Sequence, residues 1–312
     1  MGINSIETQG LTKTVGFFSP QTLIDSLDLT VPEGHLFGLL GPNGAGKTTT
    51  MKLLLGLARP TRGSAELFGI PVGSPRSRER VGFLPEVVNH HDHLTIHEYL
   101  AYHGRLAGLP SLSDRIEAGL KRVDMADHHH RALGVCSKGM KQRVDLARVL
   151  MLDARLILLD EPMTGLDPLG QATLKEILIG LKRDGISVLI NSHAVGILED
   201  VCTAVGIMSG GRLIRSGPLN QLLSTADYAL TVTGSADDVA RLPLLQNQRV
   251  THVEQLPDQR CRFVVADVTE PQRLIATLAA GGCSILEAGP VRLSLEQLFV
   301  NTLGLPRPPE VH

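Results

Sequence analysis

The segment HLFGLLGPNGAGKTTTMKLLLGL (35–57) constrains the chain more than any other. HLFGLL (35–40) is a short buried-strand run and TTMKLLLGL reads as helix; between them GPNGAGKT (41–48) is spaced G-x-x-x-x-G-K-T. Glycines let backbone N–H groups close around phosphate oxygens with no Cβ in the way. The N-terminus of the following helix adds positive potential. Lys47 is placed to bridge terminal phosphates and Thr48 to hold Mg²⁺. A glycine-rich turn that merely joins strand to helix is the competing reading, and both flanks argue against it.

A second element, LILLDEP (156–162), is an aliphatic strand that ends on two carboxylates. Asp160 suits Mg²⁺ through its water shell, and Glu161 suits orienting and deprotonating a water. Alone, this could be an ordinary Asp-Glu pair at a strand end; beside a phosphate loop it carries more weight. SLDLTV reads as a half-buried strand and SVLI (187–190) as a buried parallel one, with helical stretches between, so an α/β domain with a mostly parallel sheet is expected over 1–220.

Beyond GPLNQLLSTAD (217–227) the pattern changes. YALTV (228–232), a Ser-capped helix in SADDVARL (235–242), RVTHVEQL and CRFVV around Pro257-Asp258, the helix PQRLIATLAAGG (271–282) and a strand in CSIL (283–286) follow in turn. The order βαββαβ predicts a small ferredoxin-like α+β domain over 221–306. SLEQ (294–297) fits a capping box for a last helix that stops at Gly304, and 307–312 reads as a frayed tail.

Composition removes several function classes. A formal net charge of −2 gives no bulk attraction to nucleic-acid phosphates, and 3% aromatics without Trp gives no stacking platform. The four cysteines, Cys136, Cys202, Cys261 and Cys283, are widely spaced, which favours reduced thiols over disulfides or a zinc site. The N-terminus lacks the basic-then-apolar pattern of a secretory leader, and no apolar run reaches bilayer length.

GPNGAGKTT, SKGMKQR (137–143), LILLDEP, GLDP (165–168) and NSH (191–193) occur in the order found in ATP-binding cassette (ABC) transporter ATPases, and residues 1 to about 220 resemble that family. VGFLPE (81–86), SKGMKQR and LEQLF resemble bacterial exporter subunits whose membrane permease subunits are separate chains. The resemblance implies a P-loop fold with an antiparallel β subdomain and a helical subdomain. It also implies a head-to-tail homodimer formed on ATP binding, with each nucleotide between the P-loop of one subunit and the signature helix of the other.

Carried onto this sequence, the family's sites fall at several points. Gly41, Pro42, Asn43, Gly44, Ala45, Gly46, Lys47, Thr48 and Thr49 surround the phosphates. Ser137, Lys138 and Gly139 face the partner's nucleotide, and Asp167 lies in the loop that communicates between the two sites. Thr48, Glu86 and Asp160 serve Mg²⁺, while Glu161, Glu86 and His193 serve catalysis. The chain is then expected at the cytoplasmic face of the cell membrane, bound to transmembrane permease subunits, with no nucleic-acid partner. A cassette ATPase uncoupled from transport, or an ATP-binding regulator, is the alternative.

Two departures from the family pattern stand out, besides Lys138. Glu86 occupies the place of a usual Gln; it accepts hydrogen bonds but cannot donate when ionised. The usual adenine-stacking aromatic falls near Val15, with Phe17 or Phe18 as candidates and a core phenylalanine as the plain alternative. Lys138, where the family usually has Gly, opposes the helix dipole by about 0.3–1 kcal/mol with no anion nearby and is attracted to one that binds; a solvent-facing lysine is equally consistent. Ser137 reads as the N-cap of a helix whose apolar face is Met140, Val144, Ala147 and Met151. NHHDHLTIH (89–97) and DHHHR (127–131) match no ligand spacing and read as solvated loops rather than a metal site. Leu94, Ile96, Tyr99 and Leu100 either line a groove for a permease helix or pack the helical subdomain.

Overall fold

The computed structural model describes residues 3–16, 18–193, 195–234, 250–280 and 284–305. The chain divides into two compact units, one of Met1–Leu219 with the segment from Phe299 onward, the other of Asn220–Leu298.

In the first unit β1 (Asn4–Val15), β2 (Gln21–Leu27), β3 (Thr30–Pro32), β5 (Arg62–Leu67) and β6 (Ile70–Pro71) form an antiparallel sheet in the order β2-β1-β5-β6, with β3 also on β1. SLDLTV is split rather than continuous. Ser26 takes a left-handed backbone (φ 50°) near the end of β2, and the break at Asp28–Leu29 lets Leu27 pair with Leu11 while Val31 pairs with Ile6. Leu27, Leu29 and Val31 stay buried on either side of it.

The second sheet has six strands. β4 (Leu36–Leu40), β7 (Val81–Leu84), β8 (Leu156–Asp160), β9 (Ser187–Ser192), β10 (Ala204–Ser209) and β11 (Arg212–Pro218) run in the order β11-β10-β4-β9-β8-β7. Every neighbouring pair is parallel except the β10–β11 hairpin. β4, β8 and β9 are buried at every residue, as strands covered on both faces must be, which is why their central residues are apolar, with the polar Asp160 and Asn191 near the strand ends. Their adjacency brings the ends of β4, β8 and β9 side by side, and in parallel α/β sheets ligands bind outside the carboxyl ends of the strands.

α1 (Lys47–Leu54) starts where the glycine-rich loop ends. α2 (Ile96–Leu106), α3 (Leu112–Arg122) and α4 (Lys138–Leu150) pack on one another as a helical layer. α2 opens with a capping box between Thr95 and Glu98. Ile96, Tyr99 and Leu100 are buried inside this layer, so of their two readings the packing role is the one observed. The exposed apolar side chains nearby are Val87, Tyr102 and Leu106. α5 (Pro168–Arg183) and α6 (Val195–Val201) complete the unit, and α7 (Leu219–Leu223) begins at the boundary with the second.

In the second unit β12 (Ser224–Thr233), β13 (Val250–Leu256), β14 (Arg260–Val265) and β15 (Ile285–Arg292) form an antiparallel sheet in the order β13-β14-β12-β15. α8 (Pro271–Ala280) covers a core of Leu230, Val232, Cys261, Phe263, Val265, Leu274 and Leu278. The β13–β14 turn is the three-residue loop Pro257, Asp258 and Gln259, the last two with positive φ. The last strand starts at Ile285 and runs on past Gly289-Pro290, so CSIL marks only its beginning. The helix expected over 235–242, Cys283 and the tail 307–312 lie outside the described residues. α9 (Leu295–Leu303) begins with the expected box, Ser294 N–H donating to Gln297 Oε1 (2.9 Å) and Gln297 N–H to Ser294 Oγ (3.1 Å). It ends at Gly304, φ 65°.

Candidate active site

The loop 41–46 leaves β4 and enters α1 through Gly46, whose φ of 104° and whose closeness to Leu23 O and Ile24 leave no room for a Cβ. Lys47 is buried, its Nζ donating to Gly41 O at 2.6 Å and to Pro42 O at 3.3 Å. Burial pulls the Lys47 ammonium below the usual lysine range, and the carboxylates of Glu161 and Asp160 pull it back. The ammonium therefore folds over the loop's own carbonyls, from which an anion with more charge can draw it.

Three side chains converge beside it, Thr48 from the first turn of α1, Asp160 from the end of β8 and Asn191 from β9. Thr48 Oγ1 donates to Asp160 Oδ1 (3.2 Å), and Asn191 Nδ2 donates to Asp160 Oδ1 and to Thr48 Oγ1 (3.4 Å). Burial pushes the Asp160 carboxyl up from its ordinary range, opposed by the hydrogen bonds from Thr48 and Asn191 and reinforced by the charges of Glu161 and Glu86. Asn191 Oδ1 is buried without a hydrogen-bond partner among the described residues. The donors gathered here are oxygens of a hydroxyl, carboxylates and an amide, the hard set that Mg²⁺ takes. A divalent cation would favour the ionised form of Asp160, which burial alone disfavours.

Glu161 stands just past β8 with φ 51°, a left-handed conformation costing about 1–3 kcal/mol for a residue with a Cβ. Two contacts hold it. Its N–H donates to Asn191 O (2.8 Å), and its carboxylate accepts from the His193 N–H (3.3 Å) with His193 Nδ1 2.8 Å away. The strain aims the carboxylate into a cavity of about 310 Å³ lined by Leu23, residues 43–49, Glu86, Glu161, Asn191 and His193. A second cavity of about 310 Å³ shares Glu86 and Glu161 and extends to Lys138, Lys141, Gln142, His90 and Asp145. Asn191 was the residue missed as a site member; its signal was its place at the head of NSH, at the end of a wholly buried strand.

With this geometry in hand, the comparisons with known proteins are direct. The sequence profile of the ABC transporter family matches residues 24–164. An uncharacterized ABC transporter ATP-binding protein of Synechocystis is 36% identical over 290 residues, covering 86% of this chain and 82% of its own. The chain belongs to the ABC transporter ATP-binding proteins. Membership of this ABC ATPase family implies ATP binding and hydrolysis.

Other ABC relatives include the Nod factor export ATP-binding protein I of Cupriavidus metallidurans, 32% identical over 292 residues (92% of this chain, 94% of that one). The bacitracin transport ATP-binding protein of Bacillus licheniformis is 31% identical over 302 residues (96% and 97%). A solved ATP-binding subunit of an ABC transporter superposes with TM-score 0.61 at 29% identity, over 70% of this chain and 91% of that one. A dimeric ABC cassette in a post-hydrolysis state bound to ADP and Pi shares the fold, with TM-score 0.62 at 22% identity, over 69% and 98%.

The signature segment of this ABC subunit packs against the loop that follows the carboxylates: Lys138 lines the second cavity with Glu86 and Glu161, and Gln142 Nε2 donates to Pro162 O. Ser137 is the N-cap of α4, accepting from the Met140 N–H at 3.2 Å. Val144, Ala147 and Met151 are buried as the helical period requires, and Met140 is partly buried. Lys138 does not stand free: its Nζ rests where a Cβ on Gly165 would go, in the GLDP loop of the same chain. Asp167 caps α5, accepting from the Gly170 N–H at 2.8 Å. Val15 is partly exposed and Phe18 is 98% exposed, while Phe17 lies outside the described residues. No group of three or more His, Cys, Asp or Glu suited to a metal occurs among the described residues, and Cys136, Cys202 and Cys261 are buried free thiols. His90 departs from the solvated-loop reading: its Nε2 lies 2.9 Å from the buried Asp145.

Proposed function

We propose that this chain is the Mg²⁺-dependent ATPase subunit of an exporter whose permease subunits are separate chains, working as a head-to-tail homodimer at the cytoplasmic face of the membrane. The observation that carries the ATPase reading is the convergence of Lys47, Thr48, Asp160, Glu161, Asn191 and His193 at neighbouring strand ends, from three distant parts of the sequence. Thr48 and Asp160, with Glu86 across the cavity, would hold Mg²⁺; when bound, the cation would offset charge on the phosphate oxygens. Lys47 leaves the Gly41 carbonyl for the terminal phosphates, and the amides of residues 43–49 close around them. Glu161 accepts a proton from water as the water oxygen bonds to the γ-phosphorus and the bond to the ADP oxygen breaks. His193 keeps that carboxylate aimed and contacts the γ-phosphate.

The dimer is supported by the nature of the α4 N-terminus. Ser137, Gly139 and the first amides of α4 are anion-binding groups set apart from this chain's own phosphate loop, and a related cassette has been solved as a dimer with ADP and Pi. Coupling to separate permeases is supported by the lack, among the described residues, of any helix long and apolar enough to cross a membrane, and by the transport names of the relatives. Export is supported by the Nod factor relative. Exposed Val87, Tyr102 and Leu106 are where a permease helix would dock. The second unit is proposed as a ferredoxin-like regulatory or dimer-stabilising domain, a reading its 2-3-1-4 strand order supports.

The test is phosphate release by the purified chain with ATP, with Mg²⁺ or with EDTA, alone and beside its permease in lipid nanodiscs. Turnover that needs Mg²⁺ and rises with the permease is expected. Silence in both settings overturns the ATPase reading, and turnover indifferent to the permease overturns the coupling.

A further inference from the structure

Asp145 is a carboxylate buried to 2% exposure on α4, a helix whose other buried residues are apolar. Buried carboxylates are costly unless paired and hydrogen-bonded, and this one is surrounded. Tyr99 Oη on α2 donates to its Oδ1 at 2.7 Å, His90 Nε2 lies 2.9 Å from its Oδ2, and Arg148 Nε stands 3.8 Å from its Oδ1. Burial and the Asp145 charge hold the Tyr99 hydroxyl well above the usual phenol range, so it remains a donor. Arg148 also reaches across, its Nη2 donating to Phe83 O at 3.4 Å.

Phe83 and His90 bracket the loop that carries Glu86. One is in β7 before it and the other lies after it, and both are tied to the same turn of α4. Glu86 itself is exposed and faces both cavities, one toward the phosphate loop and one toward Asp145. Among the described residues no side-chain hydrogen bond or ion pair tethers Glu86, so it is only as well placed as the loop's two ends.

We infer that Asp145 and Arg148 form a clamp, with His90 and Tyr99 as its other members, that positions the Glu86 loop against the signature helix. Asp145 is a positioning residue and touches no reacting atom. Because Tyr99 comes from α2, whose outer face carries exposed Tyr102, a shift of α2 against a partner reaches Glu86 through one hydroxyl and one carboxylate. This inference rests on the ATPase reading for its kinetic consequence but not for its structural one.

The experiment has two arms on the full chain. In the first, amide hydrogen exchange is compared between wild type and Asp145→Asn, with Tyr99→Phe as the milder variant should Asp145→Asn fail to fold. Exchange of the 86–90 amides is expected to quicken about tenfold or more while the β8 and α1 amides keep their rates. Unchanged exchange at 86–90 overturns the clamp, whether or not the chain hydrolyses ATP.

The second arm measures ATP turnover and ATP affinity. Asp145→Asn should lower kcat about tenfold with ATP affinity within about twofold, and lose that effect in a Glu86→Ala background, since coupled residues are non-additive. His90→Gln, which keeps a side-chain donor, should retain most of the turnover that His90→Leu loses. Effects that multiply independently with Glu86→Ala, or a loss in ATP affinity that matches the loss in kcat, would overturn the positioning role. Wild type that exchanges as expected but never turns over would fail the ATPase reading and leave the clamp standing.

Discussion

The phosphate loop and the signature segment are built to different degrees of completion. At the phosphate loop the charged groups already have partners, Glu86 excepted: Lys47 on Gly41 O, Thr48 and Asn191 on Asp160, His193 on Glu161. At the start of α4 Ser137 caps the helix, Lys141 pairs with Asp92 (2.9 Å) and Gln142 donates to Pro162 O, but among the described residues no carboxylate or histidine bonds the Ser137–Gly139 end itself. One face is preorganised within a single chain, where groups held in place cost no reorganisation during reaction. The other presents amides and a hydroxyl whose natural complement is an anion brought by a second copy. The difference teaches that binding and turnover should be separable by mutation.

The sharpest break is expected at Lys47. Lys47→Ala should abolish MgATP binding by the monomer, a loss of about 10²-fold or more read by calorimetric titration, because it removes the buried charge aimed at the phosphates. Undiminished binding would mean that the preorganised face is not the nucleotide site.

Gly139→Ala probes the opposite face. A Cβ there meets only Leu166 Cδ2 at 3.5 Å, ordinary contact within the chain. The variant should fold with stability equal to wild type or better by about 0.5 kcal/mol, Ala being the better helix former. Monomer ATP affinity should hold while turnover falls about tenfold, because the added methyl stands where the partner's triphosphate approaches. Lost affinity would show that both faces serve one nucleotide.

Asp160 gives a pH-dependent test. A folded carboxyl raised above its unfolded value means that the folded chain binds more protons across that window. Its contribution to stability therefore falls as pH rises from the unfolded carboxylate value through the raised folded one. Asp160→Asn removes the penalty and keeps an acceptor for Thr48 and Asn191. Without nucleotide its Tm should exceed wild type by about 2 °C at neutral pH, the gap closing in acid, while Mg²⁺-dependent ATP binding is lost. The smallest effect is expected at Lys138: seated over Gly165 rather than over a carboxylate, it should change turnover by less than about threefold on replacement by Ala, read in the same phosphate assay.

Much of the fold was legible because its signals are local. A five-residue aliphatic strand must be buried on both faces, and G-x-x-x-x-G-K-T needs its strand and helix adjacent in sequence, so Gly41 to Thr49 and Asp160 could be placed before any coordinates. The capping boxes at Ser294 and the N-cap at Ser137 were readable for the same reason. What escaped was set by long-range pairing. His90 sits in a polar run and looks solvated, Asp145 interrupts an apolar helical stripe, and Tyr99 looks like a groove residue; only the meeting of loop, α2 and α4 turns them into one cluster. Asn191 was hidden likewise, since its partners Thr48 and Asp160 come from other strands. The break at Asp28–Leu29 was invisible because the alternation of Leu27, Leu29 and Val31 continues straight across it.

The central claim is that Glu161, strained and held by His193, is the base of an ATPase completed by a second copy. Glu161→Gln keeps the shape and removes the base, so phosphate release and molecular mass should be measured together for this variant and wild type, each with Mg²⁺ and ATP. The account predicts that wild type turns over and that the variant loses turnover by about 10²-fold or more while accumulating as an ATP-bound dimer. A Glu161→Gln chain that hydrolyses ATP at the wild-type rate, or that binds ATP only as a monomer, would contradict it.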